Sequence, residues 1–93
     1  VDEAHRLTEV ERLIDQGEYE HARRMLMTLT TRSAQWNYLF GAVLMKLRET
    51  EKALIYLQVA AHQDPSSKLY ATTLSNAKAQ RKPEGRLGKL FRR

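Results

Sequence analysis

Thr50-Glu51-Lys52-Ala53-Leu54-Ile55-Tyr56-Leu57-Gln58-Val59-Ala60-Ala61-His62-Gln63-Asp64-Pro65 is the segment from which the architecture follows. Ala53, Leu54, Leu57, Ala60 and Ala61 recur at three- and four-residue spacing, the period of one helix face. Thr50 stands where a cap is expected, and Pro65 stops the ladder because it has no amide hydrogen to donate. The small side chain of Ala53 lets a second helix approach closely. That helix comes just before. From Ala34 to Leu47, residues Trp36, Leu39, Phe40, Val43, Leu44 and Leu47 give a wide apolar face, expected to be the most buried in the chain. Arg48-Glu49-Thr50 leaves room only for a tight reversal, so the two helices form a hairpin.

Working outward, the N-terminal part repeats the arrangement. Ala4, Leu7, Val10, Leu13 and Ile14 form a stripe from Asp2 to Gln16, and Gly17 ends it as a helix C-terminal glycine would. Tyr19, Ala22, Met25, Leu26 and Leu29 form a second stripe from Glu18 to about Thr30. Thr30-Thr31-Arg32-Ser33 reads as a polar connection in which Ser33 caps the following helix. On the C-terminal side, Asp64-Pro65-Ser66-Ser67 breaks the chain. A fifth helix from Ser67 to about Arg81 carries Leu69, Tyr70, Leu74 and Ala77, with a polar outer face. Pro83-Glu84-Gly85 breaks that helix. Nothing alternates with period two, so no strand is expected. The expected fold is all-α, with about five helices paired as antiparallel hairpins. Residues 1–82 form the helical domain and residues 83–93 a basic C-terminal tail or linker.

Composition narrows the function. Hydrophobic residues make up 42% and charged residues 29% of the 93 residues, a globular balance with room for one modest core. No cysteine is present, which excludes disulfides, thiolate metal sites and cysteine nucleophiles. The longest apolar run, Leu39 to Met45, is far short of the roughly 18 residues of a membrane span. No signal peptide is visible, and a cytoplasmic setting is expected. Val1 stands where a methionine would start a chain, so a fragment cut from something longer, or a processed product, is expected. The net charge of +5 is unevenly placed. From Lys78 onward seven basic residues face Glu84 alone, whereas the rest has nine basic and ten acidic residues. Arguments about anionic partners therefore apply to the tail.

Candidates for chemistry are few. His5, His21 and His62 fall on three different helices without ligand spacing. Asp2-Glu3 and Glu9-Glu11 read as helix N-terminal acids and a solvated face. No phosphate loop, catalytic triad order or zinc-protease motif occurs. No catalytic residue, metal site or cofactor is expected, and the chain is not expected to be an enzyme.

Gly17-x-Tyr19-x-x-Ala22-x-x-x-Leu26 compares with Thr50-x-x-Ala53-x-x-x-Leu57-x-x-Ala60-x-x-x-x-Pro65. This pattern resembles the tetratricopeptide repeat family. Phe40-Gly41, Ala53, Leu57, Ala60 and Pro65 sit at the family spacing for one full unit, with Trp36 one place early for its opening tryptophan. Gly17, Tyr19, Ala22 and Leu26 match the second half of a preceding unit, whose Leu-Gly position reads Glu9-Val10. Leu74-Ser75-x-Ala77 resembles the first helix of a third unit, serving as a C-terminal capping helix. The spacing from Ala22 to Ala53 is 31 residues, against a family period of about 34. The shortfall lies between Leu29 and Trp36 and implies an altered stacking angle.

The resemblance implies a short right-handed α-solenoid and a function in protein–protein interaction, as an adaptor, scaffold or chaperone-like module. The partner would be a peptide or helix held in a groove lined by the first helix of each unit. Carried over, the groove positions are Leu7, Glu11 and Ile14, then Gln35, Tyr38, Ala42 and Met45, then Thr72, Asn76 and Ala79. Ile14 and Met45 could equally be buried between helices. Members that clamp a terminal carboxylate need Lys and Asn where this chain has Leu7 and Glu11, so capture of an acidic chaperone tail is not expected. Two units and one helix fall below the roughly three repeats that are comfortably stable, so support from a partner or self-association is expected. The alternative function is a membrane- or nucleic-acid-associated assembly factor acting through the tail. Its contacts would be Arg86, Lys89, Phe91, Arg92 and Arg93, with Leu87, Leu90 and Phe91 at helical spacing among basic residues. An anionic membrane surface suits that tail, and nucleic acid is the weaker candidate.

Overall fold

The computed structural model describes residues 3–81. Among them the chain is all-helical: α1 (Glu3–Asp15), α2 (Tyr19–Thr28), α3 (Ala34–Lys46), α4 (Thr50–Gln63) and α5 (Lys68–Gln80). The division at residues 82 and 83 lies outside the described residues. Successive helices pack on one another, and α3 lies in the middle against α1, α2 and α4. No helix among the described residues is long and apolar enough to cross a membrane.

The two hairpins share one turn. After α1, Gly17 N donates to Ile14 O at 3.0 Å and Glu18 N to Leu13 O at 2.9 Å. After α3, Arg48 N donates to Met45 O at 3.1 Å and Glu49 N to Leu44 O at 2.9 Å. Both are Schellman motifs, which need a left-handed residue just past the helix. Gly17 has φ 81° and Arg48 has φ 69°. Thus the 31-residue offset seen in the alanines is also an offset of backbone hydrogen bonds. Glycine adopts this conformation freely, whereas an L side chain is strained there. Arg48→Gly is expected to raise the unfolding free energy by about 0.5–1 kcal/mol, the strain released less the entropy glycine loses. Gly17→Ala is expected to lower it by about 1 kcal/mol through backbone strain alone, since a Cβ there would meet nothing within 4 Å. Urea unfolding of both variants checks the pair.

Capping partly departs from expectation. Ser33 Oγ accepts from Trp36 N at 3.2 Å and Ser67 Oγ from Tyr70 N at 3.1 Å, so both serines are caps. Thr50 is not one: it is the first residue of α4, and Glu49 stands at the cap without a side-chain hydrogen bond. The Schellman turn already commits Glu49 N to Leu44 O, which sets the entry into α4 from the preceding helix. The second helix ends at Thr28, with Leu29 extended and turned into the core.

Ala22 and Ala53 are both fully buried. At the α3–α4 crossing Gly41 faces α4, and a Cβ on it would lie 2.7 Å from Leu57 Cγ and Cδ2 and 3.2 Å from Ala53 O. The position 31 residues earlier holds Val10, and α3 against α4 is the most extensive helix pairing in the fold. Trp36 stacks on Phe40 with centroids 4.9 Å apart, and Tyr56 meets both edge-on. Several stripe residues are less buried than their spacing implies. Ala4 is exposed at the start of α1, Ala61 is only half-buried, and Leu69 is 56% exposed. α5 packs on α4 through Leu74 and Ala77, with Leu54 and Leu57 opposite, and this rotation carries Leu69 out of the core.

The five-residue connection from Leu29 to Ser33 is tied from several sides. Glu3 accepts from Thr30 N at 3.0 Å, Thr30 Oγ1 at 2.7 Å and Thr31 N at 2.8 Å. Asn37, a buried polar residue, reaches Arg32 O and Ser33 O, both at 3.1 Å, and Gln63 Oε1 at 2.9 Å. Gln63 Nε2 in turn donates to Arg32 O at 2.9 Å. Trp36 Nε1 donates to Leu26 O at 2.8 Å, and the Arg32 guanidinium lies 4.0 Å above the indole. The hydrogen bond from the Thr30 amide, followed by those from its hydroxyl and the Thr31 amide, holds the Glu3 carboxyl below its ordinary value of 4.5. A carboxylate so lowered stabilises the fold in full above the ordinary range and loses that contribution as pH falls through its folded-state value. Glu3→Gln is therefore expected to be less stable than the parent at neutral pH. The gap should close in acid, read as urea midpoints across a pH series.

Candidate functional site

The face of α3 that looks away from Trp36 and Phe40 carries Tyr38, Ala42 and Met45, and these line a groove with α1 on one side and α5 on the other. Two depressions meet at Ala42. One, about 260 Å³, lies between Glu11, Ile14 and Asp15 of α1 and Tyr38, Leu39 and Ala42 of α3, with Leu69 on its rim. The other, about 280 Å³, lies between Ala42, Met45 and Lys46 and the α5 residues Thr73, Asn76, Ala77 and Gln80. Tyr38 stacks on Tyr70 with ring centroids 5.0 Å apart and planes at 28°. Burial, and next the charge of Asp64, push the Tyr70 phenol up.

Six of the positions carried over from sequence, Glu11, Ile14, Tyr38, Ala42, Met45 and Asn76, line this groove. Gln35 sits at its edge, where Nε2 donates to Glu11 Oε2 at 3.3 Å and ties α1 to α3. Leu7 is corrected: it is 4% exposed and belongs to the core with Val10 and Leu13, not to a groove. Thr72 and Ala79 are also corrected. Both are exposed, and the neighbouring residues Thr73 and Gln80 line the depression in their place. The cause is the rotation of α5 that buries Ala77. Ile14, Tyr38 and Met45 are half-buried, and Tyr38 and Met45 pack against both core clusters while lining the groove. Core packing and groove lining are thus two sides of the same residues. Sequence reasoning did not place Asp15, Lys46, Leu69, Thr73 or Gln80 in the groove. The spacing Tyr70, Leu74, Ala77 was the signal for the true inner stripe of α5. The tail positions Arg86, Lys89, Phe91, Arg92 and Arg93 lie outside the described residues.

The groove is apolar and aromatic at its floor and acidic along α1. Among the described residues no ion pair engages Asp15 of α1 or Lys46 at the end of α3, whereas the α5 residues lining the groove are uncharged. The three histidines are exposed on α1, α2 and α4. Among the described residues no group of three His, Cys, Asp or Glu is placed to hold a metal ion. What such a surface can do is receive side chains, with small Ala42 leaving space at its centre. The class defined by fold and groove is an all-α protein of packed helical hairpins. Compared with protein-family models, with curated proteins and with solved structures, the chain finds no match in any of the three.

Proposed function

We propose that this chain is a protein-interaction module of the tetratricopeptide type, not an enzyme, that holds a peptide or partner helix in the α1–α3–α5 groove. A cytoplasmic adaptor, scaffold or chaperone-like role belongs to the same reading. The observation that carries it is the meeting of two depressions at Ala42, with Ile14, Tyr38 and Met45 half-exposed around it. The 31-residue repeat of turn and buried alanine supports it by making α1 and α3 equivalent first helices. The ligand side chains that suit the groove are apolar ones for its floor and a basic one for Glu11 and Asp15.

A peptide-display selection on the immobilised chain tests the proposal. Selected peptides are expected to share an apolar residue near a basic one. Ala42→Arg, which fills the groove with a charged side chain, is expected to weaken their binding at least tenfold, about 1.4 kcal/mol. Helical content should be unchanged by circular dichroism. Peptides without a consensus, or bound equally by Ala42→Arg, would sink the reading.

A further inference from the structure

We propose that the α1–α3–α5 groove takes this chain's own residues 84–93, which compete there with an outside peptide. The proposal rests on the groove reading above and adds what regulates that site. Its first ground is the order of charge. From the end where α5 stops, the groove presents Lys46, then the apolar stretch of Met45 and Ala42, and last the acids Glu11 and Asp15. The sequence after α5 runs in the complementary order. The acid Glu84 comes first, then Leu87, Leu90 and Phe91 with Arg86 and Lys89 among them, and last Arg92 and Arg93. Apolar side chains gain by leaving water for the groove floor, and charges of opposite sign at its two ends fix the direction.

The second ground is reach. Gln80, the last residue of α5, lines the near end of the groove, and Leu69 lines the far end, about 16 Å away along the helix. Pro83-Glu84-Gly85 suits a reversal of the chain. The eight residues 86–93 can then span up to about 26 Å when extended, enough to cover the groove. The third ground separates this occupant from a second copy. A tethered segment meets its site at an effective concentration of about 1 mM, so a modest match fills the groove. A second copy offers the same residues only at its bulk concentration.

Because the chain has no cysteine, a nitroxide attached at Gly88→Cys marks this segment alone. In the full chain it is expected to broaden the NMR amide signals of Glu11, Asp15 and Ala42. It should spare Met27 and Ile55, which line a separate depression on α2 and α4. Leu90→Ser with Phe91→Ser removes apolar contact and keeps every charge. That pair is expected to cut the broadening about threefold or more, and in the unlabelled chain to tighten display-selected peptides by a similar factor. Mixing spin-labelled chains with isotope-labelled chains free of nitroxide is expected to give no broadening. Broadening that is equal on both faces, or unchanged by the serine pair, overturns the proposal. Broadening seen only in the mixture also overturns it and assigns the segment to a second copy. If peptides bind in the groove while the serine pair changes neither reading, self-occupation fails and the peptide-binding reading stands. If the serine pair relieves broadening while the selection returns no consensus, self-occupation stands and the outside peptide fails.

Discussion

Replacing Gly41 by valine is expected to lower the unfolding free energy by about 3 kcal/mol, at the upper end of what overpacking a filled core costs. The argument is local. A Cβ at this position already falls 2.7 Å from Leu57 Cγ and Cδ2 and 3.2 Å from the Ala53 carbonyl oxygen. Leu57 is fully buried and the carbonyl belongs to a helix backbone, so neither can yield cheaply. Valine adds two methyl groups beyond that Cβ, and its better helix propensity returns only a few tenths of a kcal/mol. For a domain of this size the loss corresponds to a fall in melting temperature of about 12–24 °C. Gly41→Ala is the milder control, because the gain in helix propensity of about 1 kcal/mol offsets part of the clash. Thermal unfolding followed by circular dichroism measures both. A valine variant as stable as the parent would mean that α3 and α4 are not in close contact at this point.

Leu57→Ala is expected to cost about 3–4 kcal/mol, from lost transfer free energy and the cavity left behind. Leu57 has no exposed surface and sits where the α3–α4 crossing meets α5. Combined with Gly41→Val it should not be additive. The space vacated by the leucine receives the valine methyls, so the double variant is expected to lose at least about 1 kcal/mol less than the sum of the two. A double-mutant cycle in urea reads this directly. Additivity within about 0.5 kcal/mol would place the strain at Gly41 somewhere other than Leu57.

The hairpins were legible because their signals are local. Gly17, Ser33, Pro65 and Ser67 mark ends, and the three- and four-residue recurrence around Ala22 and Ala53 marks faces. Helix limits agree with that reading to within a residue or two. Thr50 was misjudged because capping competes with the backbone of the preceding turn, and here the turn wins. Of the positions carried over from the family resemblance, Tyr38, Ala42 and Met45 lie on the side of α3 away from Trp36 and Phe40, beside the two depressions. Leu7 did not follow, because a helix stripe more than 100° wide contains positions that touch two neighbours and positions that touch none. Which of these Leu7 occupies depends on where α2 and α3 lie. Thr72 and Ala79 failed for a related reason: one residue of error is about 100° of rotation on a helix.

The order of amino acids alone settles that this is an all-α chain of repeated hairpins, with Ala22 and Ala53 inside and the charge excess from Lys78 onward. These are consequences of periodicity, capping and residue size, which act within a few neighbours. Packing in three dimensions settles the rest. It turns α5 so that Ala77 is covered and Leu69 is not, and it closes the Leu29–Ser33 connection through Glu3, Asn37 and Gln63, whose partners lie up to 31 residues away. It also leaves Met27 and Ile55 exposed to water. Contacts between distant segments depend on the angle and rotation of whole helices, and no window of sequence contains that information.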